Sequence, residues 1–141
     1  GSALRVEAFP EAVGPEDRRT RMIDIQLLQK GADTLVTCTL QGRLTAREHD
    51  VFLPHFESEI RHFTDLRVLF ILTELKGWCR GSPWRTLSFN SQHRTNVAKI
   101  ALVGPIRRTR WMKQACQPLS YKELKRFFTK DIDDAWAWIG G

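Results

Sequence analysis

The chain has 141 residues, of which 42% are hydrophobic and 27% charged, and carries a formal net charge of +6. Such a composition fits one globular domain and excludes a disordered body. No apolar run approaches the ~18 residues of a membrane-spanning helix, and no basic segment followed by an apolar core marks a secretory signal, so a cytoplasmic protein is expected. Three cysteines, Cys38, Cys79 and Cys116, are odd in number and widely separated. They match neither a disulfide framework nor a zinc site, and reduced thiols with no cofactor are the expectation.

Along the chain, residues 1–21 show no sustained periodicity. Gly1-Ser2 reads as a cloning remnant, and Pro10, Gly14, Pro15 and the charged run Glu16 to Arg21 read as a flexible arm. The domain is expected over residues 22–141. Ile23, Ile25 and Leu27 alternate with Asp24 and Gln26, which predicts a strand with one buried face. Gly31, Ala32 and Asp33 predict a turn into a second strand through Val36, Cys38 and Leu40, making a hairpin.

Thr45 is a good helix N-cap, with Glu48 placed to complete a capping box. Phe52, Phe56, Ile60 and Phe63 then recur at helical spacing and give a long helix one apolar stripe. Leu66 to Leu72 is nearly all apolar and branched, as in a central strand covered on both faces.

A loop is expected from Thr73 to Gly81, and Ser82-Pro83 then opens a second helix containing Trp84 and Leu87 and reaching about His93. Val97 to Val103 is another buried strand, stopped by Gly104-Pro105. A third helix is expected over Arg107 to Cys116 and a peripheral strand over Glu123 to Phe128. Asp131 caps a last helix in which Ala135, Trp136 and Ile139 are expected to pack inward. Strands alternating with helices predict an open α/β sandwich.

Several stretches in this order resemble the STAS-like (SpoIIAA-like) family. They are Gly42 to Thr45 before the long helix, Leu66 to Leu72 leading to Gly77-Trp78, Val97 to Gly104, then Trp111 and the run Ala135 to Trp138. The resemblance covers nearly the whole chain after residue 21. It implies a mixed sheet of about five strands with about four helices, backed on one side, and a non-enzymatic binding or regulatory role. In sporulation-type members, a serine at the start of the helix after the central strand is phosphorylated within an Asp-Ser-Ser/Thr-Gly motif. Ser82 is the only positional counterpart, and the acidic neighbour of that motif is missing. The closer branch carries acidic residues after the Gly-Trp pair and Asp-Lys after the Val-Gly pair. Here Cys79-Arg80 and Pro105-Ile106 stand instead, making that end of the sheet more basic.

The residues read independently point to the same end. Open α/β sheets bind ligands outside the carboxyl ends of their strands, and helix starts favour anions there. Arg80, Arg85, Arg107 and Arg108 could supply charge, Ser82 and His93 polar groups, and Trp78, Trp84 and Trp111 apolar walls. This set is the candidate ligand site, suited to a small amphipathic or anionic molecule. The competing reading makes the tryptophans core and the arginines a solvated surface.

A second constellation, Glu48, His55, Glu59 and His62, lies along one edge of the long helix. One helix edge seldom completes a metal's ligand set, so a solvated or partner-facing edge is the expectation, and no metal site is assigned. That edge or the basic surface makes docking of an acidic protein partner, or self-association as a homodimer, the alternative function. A third reading is weak nucleic-acid contact through Arg18 to Arg21 and Arg107 to Arg110, without any helix-turn-helix, zinc or RNA-recognition motif beside them. No nucleophile elbow, Gly-rich phosphate loop or paired catalytic signature occurs, so no enzyme is expected.

Overall fold

The computed structural model describes residues 4–7, 22–30, 33–61, 63, 65–89 and 97–140. The alternating segments form strands as their period requires: β2 (Ile23–Lys30) and β3 (Asp33–Leu40) pair antiparallel over their whole length. Leu4–Glu7, inside the segment read as an arm, is a strand, β1, antiparallel to β2. The short β4 (Gly42–Leu44) follows, and then the helix α1 (Ala46–Arg61). Next come β5 (Leu66–Ile71), β6 (Leu75–Trp78) and a 3-10 turn at Pro83–Thr86. The chain continues through β7 (Val97–Val103), α2 (Ile106–Cys116), β8 (Tyr121–Phe127), a 3-10 turn at Thr129–Asp131 and α3 (Ile132–Gly140).

The main sheet runs β1-β2-β3-β5-β7-β8, and from β3 to β8 every neighbour is parallel. The α/β class and mixed sheet match the expectation, with a sixth strand supplied by Leu4–Glu7. Parallel strands place the carboxyl ends of β3, β5, β7 and β8 together. β4 and β6 leave that end as a separate two-stranded parallel ribbon. The stretch Thr73 to Gly81, expected as loop, therefore contains a strand.

Two faces are buried. Phe52, Phe56 and Ile60 of α1 and Met112, Ala115 and Cys116 of α2 pack on one, against Val68, Phe70, Ile100 and Leu102. On the other, Ala135 and Ile139 of α3 cover Leu69, Ala101 and Val103. Helices thus back the sheet on both sides, not one. The near-continuous apolar sequences of β5 and β7 have this cause, since both faces must avoid water.

Three local expectations are corrected. The helix expected from Ser82 to about His93 is one 3-10 turn ending at Thr86, and residues 90–96 lie outside the described residues. Beyond that turn the chain drives Leu87 and Phe89 into the core, and the Phe89 N–H donates to the Ala115 carbonyl at 3.0 Å. A continued helix could not place both side chains and that amide so. Trp136, expected inward, is 38% exposed. Ala135 and Ile139 stand four apart and define the buried stripe, so Trp136 falls beside it, while Trp138 rests against Phe127 with ring centroids 6.0 Å apart. Among the described residues no helix is long and apolar enough to cross a membrane.

Candidate functional site at the carboxyl end of the sheet

The β4–β6 ribbon projects past the sheet and meets one flank of α2. β6 brings Trp78 there, and α2 brings Arg108 and Trp111. The Trp78 and Trp111 rings lie 4.7 Å apart at 36°, and the Arg108 guanidinium sits 5.3 Å from the Trp78 ring centroid. Such a cation over an indole face is held by the ring's quadrupole. Arg108 Nη2 also donates to the Lys76 carbonyl at 2.9 Å. Gly77 allows this approach. Its φ of 135° suits glycine, and a Cβ there would lie 3.4 Å from Arg108 Nη2.

Burial, followed by the charge of Arg107, pulls the Arg108 pKa below its ordinary value. Removing a cation from water and placing a second beside it both disfavour the charged form. Arg107 itself is exposed, and it precedes Trp111 by four residues on the same helical face. Among the described residues, no ion pair joins a carboxylate to either arginine. The result is a half-buried ledge of two indoles and the Arg108 guanidinium, with exposed Arg107 next to it on α2, a surface able to hold an anion against an aromatic wall.

The other residues of the expected site are distributed differently. Trp84 is fully buried, with its indole N–H donating to the Thr45 carbonyl at 2.6 Å, so it is core and not a site wall. It supports the ledge from beneath: the Trp111 indole donates to the Trp84 carbonyl at 2.8 Å, and the two rings stand 6.3 Å apart. Arg80 and Arg85 are exposed beside the 3-10 turn. The Ser82 hydroxyl is buried and makes no hydrogen bond among the described residues, and it caps no turn. His93 lies outside the described residues, as do His62 and the basic cluster at residues 18–21. His55 and Glu59 face each other at 4.0 Å along α1.

Sequence reasoning missed a second feature at the same end, on the opposite flank of α2. Gly104, Ile106, Thr109, Arg126, Phe127 and Phe128 line an open cleft of about 190 Å³. Its sequence signal is the pair of large apolar residues Ile106, at the start of α2, and Phe128, just after β8.

The SpoIIAA-like family model matches residues 35–140. Among solved structures, an uncharacterised protein of the DUF3478 family from Shewanella loihica PV-4, described with a SpoIIAA-like fold, is similar at a TM-score of 0.56 and 22% identity. The match covers 83% of this chain and 93% of that one. The comparison with curated proteins returned no match. With three quarters of its length matched by the family model, the chain belongs to the SpoIIAA-like family.

Proposed function

We propose that the protein is a non-enzymatic STAS-type binding module that holds a small anionic, partly aromatic or apolar ligand on the ledge formed by Trp78, Arg107, Arg108 and Trp111. The observation carrying this reading is the juxtaposition of Arg107 and Arg108. Two like charges stand together without a paired carboxylate among the described residues. An anion between them relieves that repulsion, and the indoles add stacking area. Arg80 and Arg85, both exposed, extend the same positive field. Arg110, two residues past Arg108, leaves α2 about 160° around the helix from it, so the run offers no continuous basic strip to a linear polyanion such as nucleic acid. The family is one of regulatory modules, and the chain offers no nucleophile and base pair among the residues of the ledge.

Titration with 1-naphthyl phosphate, followed by tryptophan fluorescence, tests this reading. Saturable quenching is expected, with Arg107→Glu weakening it about tenfold, the effect of one charge-assisted contact. Arg107 is exposed, so the variant should fold as the parent does. Equal affinity in parent and variant would refute the ledge as the site. Native mass spectrometry of gently purified protein adds a second readout, an excess mass that Arg107→Glu abolishes.

A further inference from the structure

The cleft on the far flank of α2 has a different character from the ledge. Its lips are Ile106, 48% exposed, and Phe128, 54% exposed, two of the few large apolar side chains left in water among the described residues. Phe127 and Gly104 form its floor, where β7 and β8 end side by side. Arg126 crosses one wall: its Nε donates to the Thr109 hydroxyl at 3.1 Å and its Nη2 to the Ile106 carbonyl at 3.4 Å. Thr109, itself buried, donates onward to the Ile106 carbonyl at 3.2 Å. These bonds fix the Nε side of the guanidinium and leave the Nη1 N–H groups and the second Nη2 N–H for an end-on bidentate carboxylate.

Size and charge decide the occupant. About 190 Å³ falls below the ~300–1,000 Å³ of ordinary small-molecule pockets, yet exceeds the ~150 Å³ that accepts a benzene ring. It suits one side chain. Arg110 lies one turn after Ile106 and Lys113 one turn after Thr109, both exposed, so cations line the helical rim. Among the described residues no ion pair engages Arg110, Lys113 or Arg126. Asp131 lies beside this edge, its N–H donating to the Phe128 carbonyl at 2.9 Å, and Asp133 and Asp134 follow in α3, which packs with Phe127 on the sheet face opposite α2.

We infer that this cleft is a docking site for an acidic peptide segment of a protein partner, which inserts one Phe- or Leu-sized side chain between Ile106 and Phe128 and sets a neighbouring carboxylate on Arg126. The apolar anchor supplies the binding energy at the centre, and Arg110 and Lys113 at the rim steer the acidic chain toward it. The site is separate from the ledge and does not depend on the ligand proposed there.

A fluorescence-polarisation array of short Asp/Glu peptides with one variable central residue, measured on the full chain, tests the inference. Peptides centred on Phe, Leu, Ile or Met are expected to bind at least about tenfold more tightly than those centred on Gly or Ala, the difference one buried side chain makes. Phe128→Ala should remove most of that preference, and Ile106→Ala, on a different element, should do the same should the first variant fold poorly. Lys122→Gln, exposed at the far end of β8, should leave the preference intact, which separates a built site from the overall positive charge. Binding that ignores the central residue, or that survives both alanine variants with its preference unchanged, overturns the inference in favour of diffuse electrostatic attraction. Absence of measurable binding at low ionic strength overturns it outright.

Discussion

Gly104 and Leu72 meet where the parallel strands end, so closely that a Cβ on Gly104 would lie 3.1 Å from the Leu72 carbonyl carbon and oxygen. The contact closes the register in which the Leu72 N–H donates to the Val103 carbonyl at 2.8 Å. Gly104 also has a φ of 151°, beyond the range that residues with a Cβ favour. Gly104→Ala should therefore destabilise the fold by about 1–3 kcal/mol, a strained backbone residue's cost. Urea unfolding measures it, and a midpoint equal to the parent's would show that the strand ends yield without cost. Because Gly104 also floors the cleft, the same substitution should shrink the preference for a Phe-sized anchor.

Trp84 fills the core and also ties three elements together. Its indole bonds the Thr45 carbonyl at the start of α1, and its own carbonyl takes the Trp111 indole N–H from α2. Trp84→Ala should cost about 3–5 kcal/mol through the cavity it leaves. Trp111→Phe, which keeps one aromatic ring but loses the indole N–H donor and part of a half-buried ring system, should cost about 1–2 kcal/mol. Equilibrium unfolding of the two variants should preserve this ranking. Equal losses would mean that the hydrogen bond, and not the packing, secures the joint.

Cys38 on β3 and Cys116 at the end of α2 are both fully buried. Burial pushes both thiols up from their ordinary pKa, and for Cys38 the neighbouring Cys116 and Asp24 add to the rise. A raised folded-state pKa gives stability that is fully present below the unfolded thiol value of about 8.5 and declines as pH rises above it. The unfolded chain then releases protons that the native protein retains, a loss of about 1.4 kcal/mol per pH unit for each thiol. Unfolding free energies should fall between about pH 9 and 10.5, with a shallower slope in the Cys38→Ala, Cys116→Ala variant. Iodoacetamide should leave both cysteines unmodified until the protein unfolds, and rapid native labelling of either would contradict their protonated, buried state.

Local chemistry made much of the fold legible. Alternation in Ile23, Ile25 and Val36, Cys38, Leu40 marks strands that are indeed half or fully buried, and the continuous apolar run at Leu66 marks a strand covered twice. Glu48 returns to cap α1 as its spacing implies, its carboxylate accepting from the Thr45 N–H at 2.6 Å and from the Thr45 hydroxyl at 2.9 Å. What remained hidden is non-local. β6 carries little apolar signal of its own and exists because Gly42–Leu44 stands beside it. The ledge was half legible: Trp78, Arg108 and Trp111 converge, whereas composition could not reveal that Trp84 is interior. The cleft was illegible, because Ile106 and Phe128 become neighbours only through the parallel pairing of β7 with β8.

The spacing of the three indoles has an optical consequence. Trp78 and Trp111 stand 4.7 Å apart, and Trp84 and Trp111 6.3 Å apart. Chromophores this close share their excited states, so the ultraviolet circular dichroism of the trio is a coupled exciton signal and not the sum of independent rings. Each ring rides on a different element: β6, the 3-10 turn and α2. A small displacement of α2, whether from an anion on one flank or a peptide on the other, changes the angle between transition dipoles and so the sign and size of that signal. The protein thus carries its own unlabelled spectroscopic gauge of α2 movement.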